Sequence, residues 1–246
     1  MGGPSTERST HPTVNKRSKK TANNLPEWER LLSAQVIFQA HFPEVVLVGG
    51  TAAALHVRHR VSTDADHVLP DLKDRFAEIL REVEREAGWK TKRLEPPVMI
   101  LGHFQGVRTG IRQLVRSVPL DTTTIRGLRV PTVEEMIRIK AYLIVRRNST
   151  RDFIDFVALF DFLGVKQAQL ALASLDHLYP QEDGNSVTQQ LAIQLSEPKP
   201  WDLSQTDLSV YKGLKEPYTD WQEVKRRAFV AGQAIILKAL SGPTPK

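Results

Sequence analysis

The run "VGGTAAALHVRHRVSTDADHV", Val48 to Val68, constrains this chain more than any other stretch. Just before it, "EVVLVGG" (Glu44 to Gly50) is a short apolar segment closed by two glycines, which predicts a buried strand entering a turn. "TAAALHVRH" then reads as a short helix, and "STDADHVLP" as a second strand closed by Pro70. Glycine lets a backbone approach a ligand closely, and a helix N-terminus favours an anion. Gly49 and Gly50, with the hydroxyl of Thr51, therefore read as a phosphate seat. Asp64 and Asp66 stand at i and i+2, so on a strand both carboxylates face one side. Like charges that close repel, and a divalent cation between them removes the conflict. The competing reading is two solvated acids on an edge strand. Ala65 between them, and Val68 and Leu69 after them, argue for a buried strand and so for a metal.

The rest of the first half alternates strands and helices. "PEWERLLSAQVIFQAHF" carries Trp28, Leu31, Leu32, Val36 and Phe38 at helical spacing, with order expected from Leu25. "DLKDRFAEILREVEREAG" is the clearest helix, with Leu72, Phe76, Ile79, Leu80 and Val83 on one face and Gly88 as its stop. "WKTKRL", "PPVMILGHF" and "GVRTGIRQLVRSV" read as two or three strands. The second half is helical. Thr132 followed by Glu135 predicts a capping box before "EEMIRIKAYLIVRR", and "TRDFIDFVALFDFLG" predicts a helix that Gly164 stops. Two more helices, an aromatic-bearing loop and a last helix from Trp221 follow. The fold class expected is α+β: a mixed sheet with flanking helices, then a helical C-terminal domain. The expected division is a basic tail over 1–24, a sheet domain over 25–130 and a helical domain over 131–246.

Composition narrows the functional classes. No cysteine is present, which excludes a disulfide framework, a cysteine zinc site and a cysteine nucleophile. No apolar run is long enough to span a bilayer, and the first residues lack the apolar centre of a secretory signal, so a cytoplasmic protein is expected. The formal net charge of +6 permits an anionic partner such as nucleic acid or nucleotide phosphates.

"GGTAAALHVRHRVSTDADHV" resembles the signature of the DNA polymerase β-like nucleotidyltransferases, and more closely that of the AbiEii/AbiGii toxin family. The matching positions are Gly49, Gly50, Thr51, His59, Arg60, Ser62, Asp64 and Asp66. A second motif follows in "RIKAYLIVRRNSTRDFIDF", which supplies Lys140, Arg151, Asp152 and Asp155. The resemblance implies a nucleotidyltransferase-like sheet. It also implies that Asp64 and Asp66 hold Mg2+ or Mn2+, and that Gly49, Gly50, Thr51, Arg60 and Ser62 bind a nucleoside triphosphate. Lys140 would meet the triphosphate, Asp152 would take part in catalysis, and Arg151 and Asp155 would support the site. Two departures stand out: His67 occupies the place of an aromatic, and "GVRTGIRQLVRSV" carries no third acid. The function implied is transfer of a nucleotidyl group to an acceptor hydroxyl, RNA such as tRNA among the acceptors. The setting implied is a toxin–antitoxin or phage-defence system with a separately encoded antitoxin. The alternative is a module that keeps the fold, has lost turnover, and binds nucleotide, RNA or protein.

Overall fold

The computed structural model describes residues 26–240. The basic tail expected over 1–24 lies outside the described residues. Helix α1 (Glu27–His41) leads into strand β1 (Val46–Val48), and β1 runs straight into helix α2 (Gly49–Val57). Strand β2 (Asp64–Leu69), helix α3 (Leu72–Arg85) and strands β3 (Trp89–Glu95), β4 (Met99–Phe104) and β5 (Val107–Gln113) complete the first sheet. Its order is β1-β2-β5-β4-β3. β2 and β5 run parallel, and every other neighbouring pair is antiparallel. The fold is thus the expected mixed sheet with helices on it.

Phe38 of α1 pins that helix to the inner sheet face. Its ring lies 4.9 Å from Phe42, 5.2 Å from Phe104 and 5.1 Å from the imidazole of His67. His67 is fully buried in this aromatic cluster, so the imidazole fills the place that a ring from an aromatic residue would take. Burial pushes its pKa down to about 3, and it packs as a neutral ring.

A two-stranded hairpin, β6 (Thr122–Ile125) and β7 (Leu128–Pro131), was not legible in the sequence. Its turn residues Arg126 and Gly127 both have positive φ, 54° and 78°. Asn-Gly or Asp-Gly would have announced such a turn, and Arg-Gly does not.

The helical half follows as α4 (Val133–Arg147), α5 (Thr150–Leu172), α6 (Leu175–Leu178), α7 (Val187–Ser196) and α8 (Trp221–Leu240), with two short 3-10 turns, Leu203–Gln205 and Leu208–Val210, before α8. Gly164 breaks helical geometry at φ 72° and ψ 161°, but the helix resumes at once, so two segments abut where a stop was expected. The capping box is half made. Thr132 Oγ1 accepts from the Glu135 N–H, but the Glu135 carboxylate does not reach back. It is buried on Arg116, at 2.8 Å from both Nη1 and Nη2, a pairing stronger than a bond to one backbone N–H. Among the described residues, no helix is long and apolar enough to cross a membrane.

Candidate active site

The glycine pair does two different jobs. Gly49 sits at φ +73°, which a residue with a Cβ adopts only under strain. Gly50 has room for no side chain: a Cβ there would lie 2.2 Å from Arg60 Nη2. Among the described residues no side chain caps the N-terminus of α2, which leaves its first N–H groups to an anion. Thr51 does not join them. It is buried, and its hydroxyl donates to the Asp64 carbonyl oxygen at 2.5 Å, which ties the start of α2 to the start of β2. The phosphate-facing hydroxyl expected from the sequence is therefore a clasp between two elements.

Asp64 and Asp66 lie on the same face of β2, both half-buried, with Ala65 and His67 turned into the core. The Asp64 carboxylate accepts from Ser62 Oγ at 3.1 Å. One oxygen of Asp66 accepts from Arg112 Nε at 3.3 Å, and the other lies 3.6 Å from where a Cβ on Gly49 would be. The two acids and the glycine turn thus share one cleft of about 520 Å³. Its walls also include Ser62, Arg108, Arg147, Arg151 and Tyr211. Register explains the missing third acid. Opposite Asp64 stands Arg108, and opposite Asp66 stands Gly110. Asp121 is turned away, toward Arg138 at 3.4 Å.

Asp152 and Asp155 lie beneath this cleft, fully buried, on one face of α5. Asp155 Oδ1 accepts from His59 Nε2 at 2.6 Å and Arg60 Nε at 2.7 Å. Its Oδ2 accepts from Arg60 Nη2 at 3.0 Å and meets Lys140 Nζ at 2.7 Å. Asp152 Oδ1 accepts from Lys140 Nζ at 3.1 Å and Arg147 Nη2 at 2.9 Å, and its Oδ2 accepts from Arg147 Nε at 2.5 Å. Burial alone would raise both carboxyls. For Asp155, Arg60 and Lys140 outweigh it and hold the group well below the usual range. For Asp152, Lys140 and Arg147 do the same and the shift is again downward.

The structure brings Gly49, Gly50, Arg60, Ser62, Asp64, Asp66, Lys140 and Arg151 to one cleft wall. Asp152 and Asp155 do not line it. The guanidinium partner of Asp152 is Arg147, not the adjacent Arg151, because neighbours on a helix point about 100° apart. Arg151 is exposed in the cleft and has no ion-pair partner among the described residues, as is the case for Arg108. Lys140 is only 1% exposed and its ammonium bridges two carboxylates, so its charge is already shared.

Sequence reasoning missed Arg147, Arg108 and Tyr211. Arg147 stands two helical turns after Lys140 on the same face, a signal that was available. Arg108 needed the strand register, and Tyr211 comes from a distant loop whose ring lies 5.9 Å from the Arg60 guanidinium.

The donor set fits a hard divalent ion. Asp64 and Asp66, on one face of the cleft, are the carboxylates that would hold it, and among the described residues no cluster of three or more His, Cys, Asp or Glu side chains that could hold a metal is present. Magnesium is commonly held this way, by one or two carboxylates with waters and substrate phosphates completing the shell.

A family model described as "Nucleotidyl transferase AbiEii toxin, Type IV TA system" matches residues 30–227. The crystal structure of JHP933 from Helicobacter pylori is 16% identical, with a TM-score of 0.51 over 90% of this chain and 94% of its own. A second H. pylori crystal structure, provisionally described as a nucleotidyltransferase, is 17% identical, with a TM-score of 0.51 over 92% and 99%. At these identities the likeness is one of fold. The mycolic acid-containing lipids exporter MmpL11 of Mycolicibacterium smegmatis is 33% identical over 131 residues. That is half of this chain and 13% of the exporter, so the chain spans only a small part of that protein.

Proposed function

The chain belongs to the AbiEii nucleotidyl transferase toxin family, and from that premise we propose that it moves a nucleotidyl group from a nucleoside triphosphate to an acceptor hydroxyl, RNA such as tRNA. The observation that carries this reading is the meeting of Asp64, Asp66 and the Gly49–Gly50 turn in one cleft with the exposed cations Arg108 and Arg151. In this reading residues 25–130 hold the nucleotide and residues 131–246 supply the far wall. The N–H groups at the start of α2 take phosphate oxygens, and Arg151 and Arg108 neutralise their charge. Asp155 holds Arg60 against Gly50 and so fixes the shape of the turn, and Lys140 ties Asp155 to Asp152.

The acceptor oxygen bonds to the α-phosphorus, the bond from that phosphorus to the β-bridging oxygen breaks, and pyrophosphate leaves. The hydroxyl proton passes to a carboxylate oxygen of the aspartate pair. A magnesium or manganese ion held by Asp64 and Asp66 would supply positive charge to the triphosphate and to the attacking oxygen. Such a reaction belongs in the cytoplasm, and a toxin of this kind is paired with an antitoxin. The absence of a third acid opposite Asp64 or Asp66 favours one second reading, a binding module without turnover.

The test incubates the protein with magnesium, each labelled nucleoside triphosphate and total tRNA, beside an Asp64→Ala, Asp66→Ala variant. Labelled RNA with the wild type alone supports transfer. Triphosphate binding without any labelled product favours the binding module, and no triphosphate binding overturns both readings.

A further inference from the structure

The outer face of the sheet carries a row of basic side chains that runs on past the nucleotide. Register aligns Asp64 on β2 with Arg108 on β5, Arg108 with His103 on β4, and His103 with Lys90 on β3. Directly opposed residues share a face. Burial agrees, because the neighbours Thr109, Phe104 and Trp89 are all turned inward. The next two rows differ. Arg112 is matched by Asp66 and Arg93 by Glu95, whereas Arg108, His103 and Lys90 have no ion-pair partner among the described residues. Strands are about 4.8 Å apart, so the row runs about 14 Å from Asp64 to the exposed edge strand.

We propose that this row, Arg108, His103 and Lys90, is the track along which an extended polyanionic acceptor, an RNA strand, reaches the two aspartates from the β3 edge. The proposal rests on the nucleotidyl-transfer reading above. Its argument is position. A triphosphate seated on α2 needs Arg108 and Arg151 but nothing at the β3 edge. A small acceptor would not extend to Lys90, and a polycationic acceptor would be repelled by the row. An acidic protein has no reason to follow a line that ends at two carboxylates, whereas an RNA strand must bring one hydroxyl there. Trp89 and Phe104 are buried, so two cations and one imidazole make up the row, and it would grip backbone phosphates more than bases. Binding of that kind is indifferent to sequence and weakens steeply with salt.

The experiment titrates the full chain with a labelled short single-stranded RNA and with total tRNA over a range of salt. Wild type, Lys90→Ala and Lys90→Glu are compared, and binding of a labelled nucleoside triphosphate is measured in parallel. Lys90 is exposed on an edge strand and far from the nucleotide, so both variants keep the fold and the triphosphate affinity. Lys90→Ala is expected to lower the salt slope by about one. Lys90→Glu is expected to weaken RNA binding about tenfold at low salt. RNA affinity and slope equal to wild type in both variants overturn the track. So does an effect of Lys90→Glu on polyglutamate but not on RNA, which would assign the row to an acidic protein. Loss of triphosphate binding in the wild type would instead overturn the nucleotidyl-transfer reading, whatever the RNA does.

Discussion

Asp155→Asn removes one charge and almost no volume, and it tests the buried network most directly. Asp155 receives three hydrogen bonds, from His59 Nε2 and from Nε and Nη2 of Arg60, and an ion pair from Lys140. Asparagine has one acceptor oxygen, and its NH2 must face donors on the other side. Two oxygens now serve four contacts, and one would have to do so. The charge balance also fails. Arg60 would lose its carboxylate partner and Lys140 would keep Asp152 alone, and both cations are almost fully buried. Breaking a buried pair from one side costs about 3–5 kcal/mol, a large share of the roughly 5–15 kcal/mol that holds a domain together. Urea unfolding followed by tryptophan fluorescence at neutral pH measures it. A cycle with Arg60→Leu separates lost pairing from general damage, because Asp155→Asn should cost less once Arg60 is gone. The reasoning is refuted if Asp155→Asn costs under about 1 kcal/mol, or costs the same in both backgrounds.

His67→Phe should leave stability above pH 7 nearly unchanged but alter its acid dependence. The folded pKa of about 3 lies below the unfolded 6.5, so as pH falls below 6.5 only the unfolded chain takes up the proton. Wild type should therefore lose about 2.3 kcal/mol relative to the variant between pH 6.5 and pH 4.5, and parallel pH–stability curves would refute this. Gly50→Ala should cost about 1–3 kcal/mol and weaken triphosphate binding, because the new methyl displaces Arg60; unchanged binding in a titration with labelled triphosphate counts against it. Thr51→Val should lower stability by about 1 kcal/mol through the lost clasp on Asp64, and calorimetry reads that directly.

What the sequence made legible was local. The glycine pair, the two aspartates and the amphipathic helices each announce themselves within a few residues, because strand and helix periods are local properties. The mixed sheet followed from their order. What lay hidden was pairing across distance. His59 and Arg60 reach Asp155 on a helix of the other half, and no spacing rule connects them. Glu135 looked like a cap residue and is instead held by Arg116. Thr51 looked like a ligand and is a clasp. Arg108 and Lys90 gain meaning only from strand register, which depends on how β3, β4 and β5 align.

The loop before α8 closes the site from afar. Val61 N–H donates to the Lys212 carbonyl at 2.7 Å, and Lys215 N–H donates to the His59 carbonyl at 2.9 Å, while Tyr211 and Lys212 line the cleft. These partners stand about 150 residues apart, and a chain emerges from the ribosome at roughly 5–20 residues per second. The aspartates are therefore made many seconds before the wall that faces them. During that interval the nascent chain carries the acids and the glycine turn without a finished cleft, and the cleft closes only once the stretch from Tyr211 to Lys215 has been made.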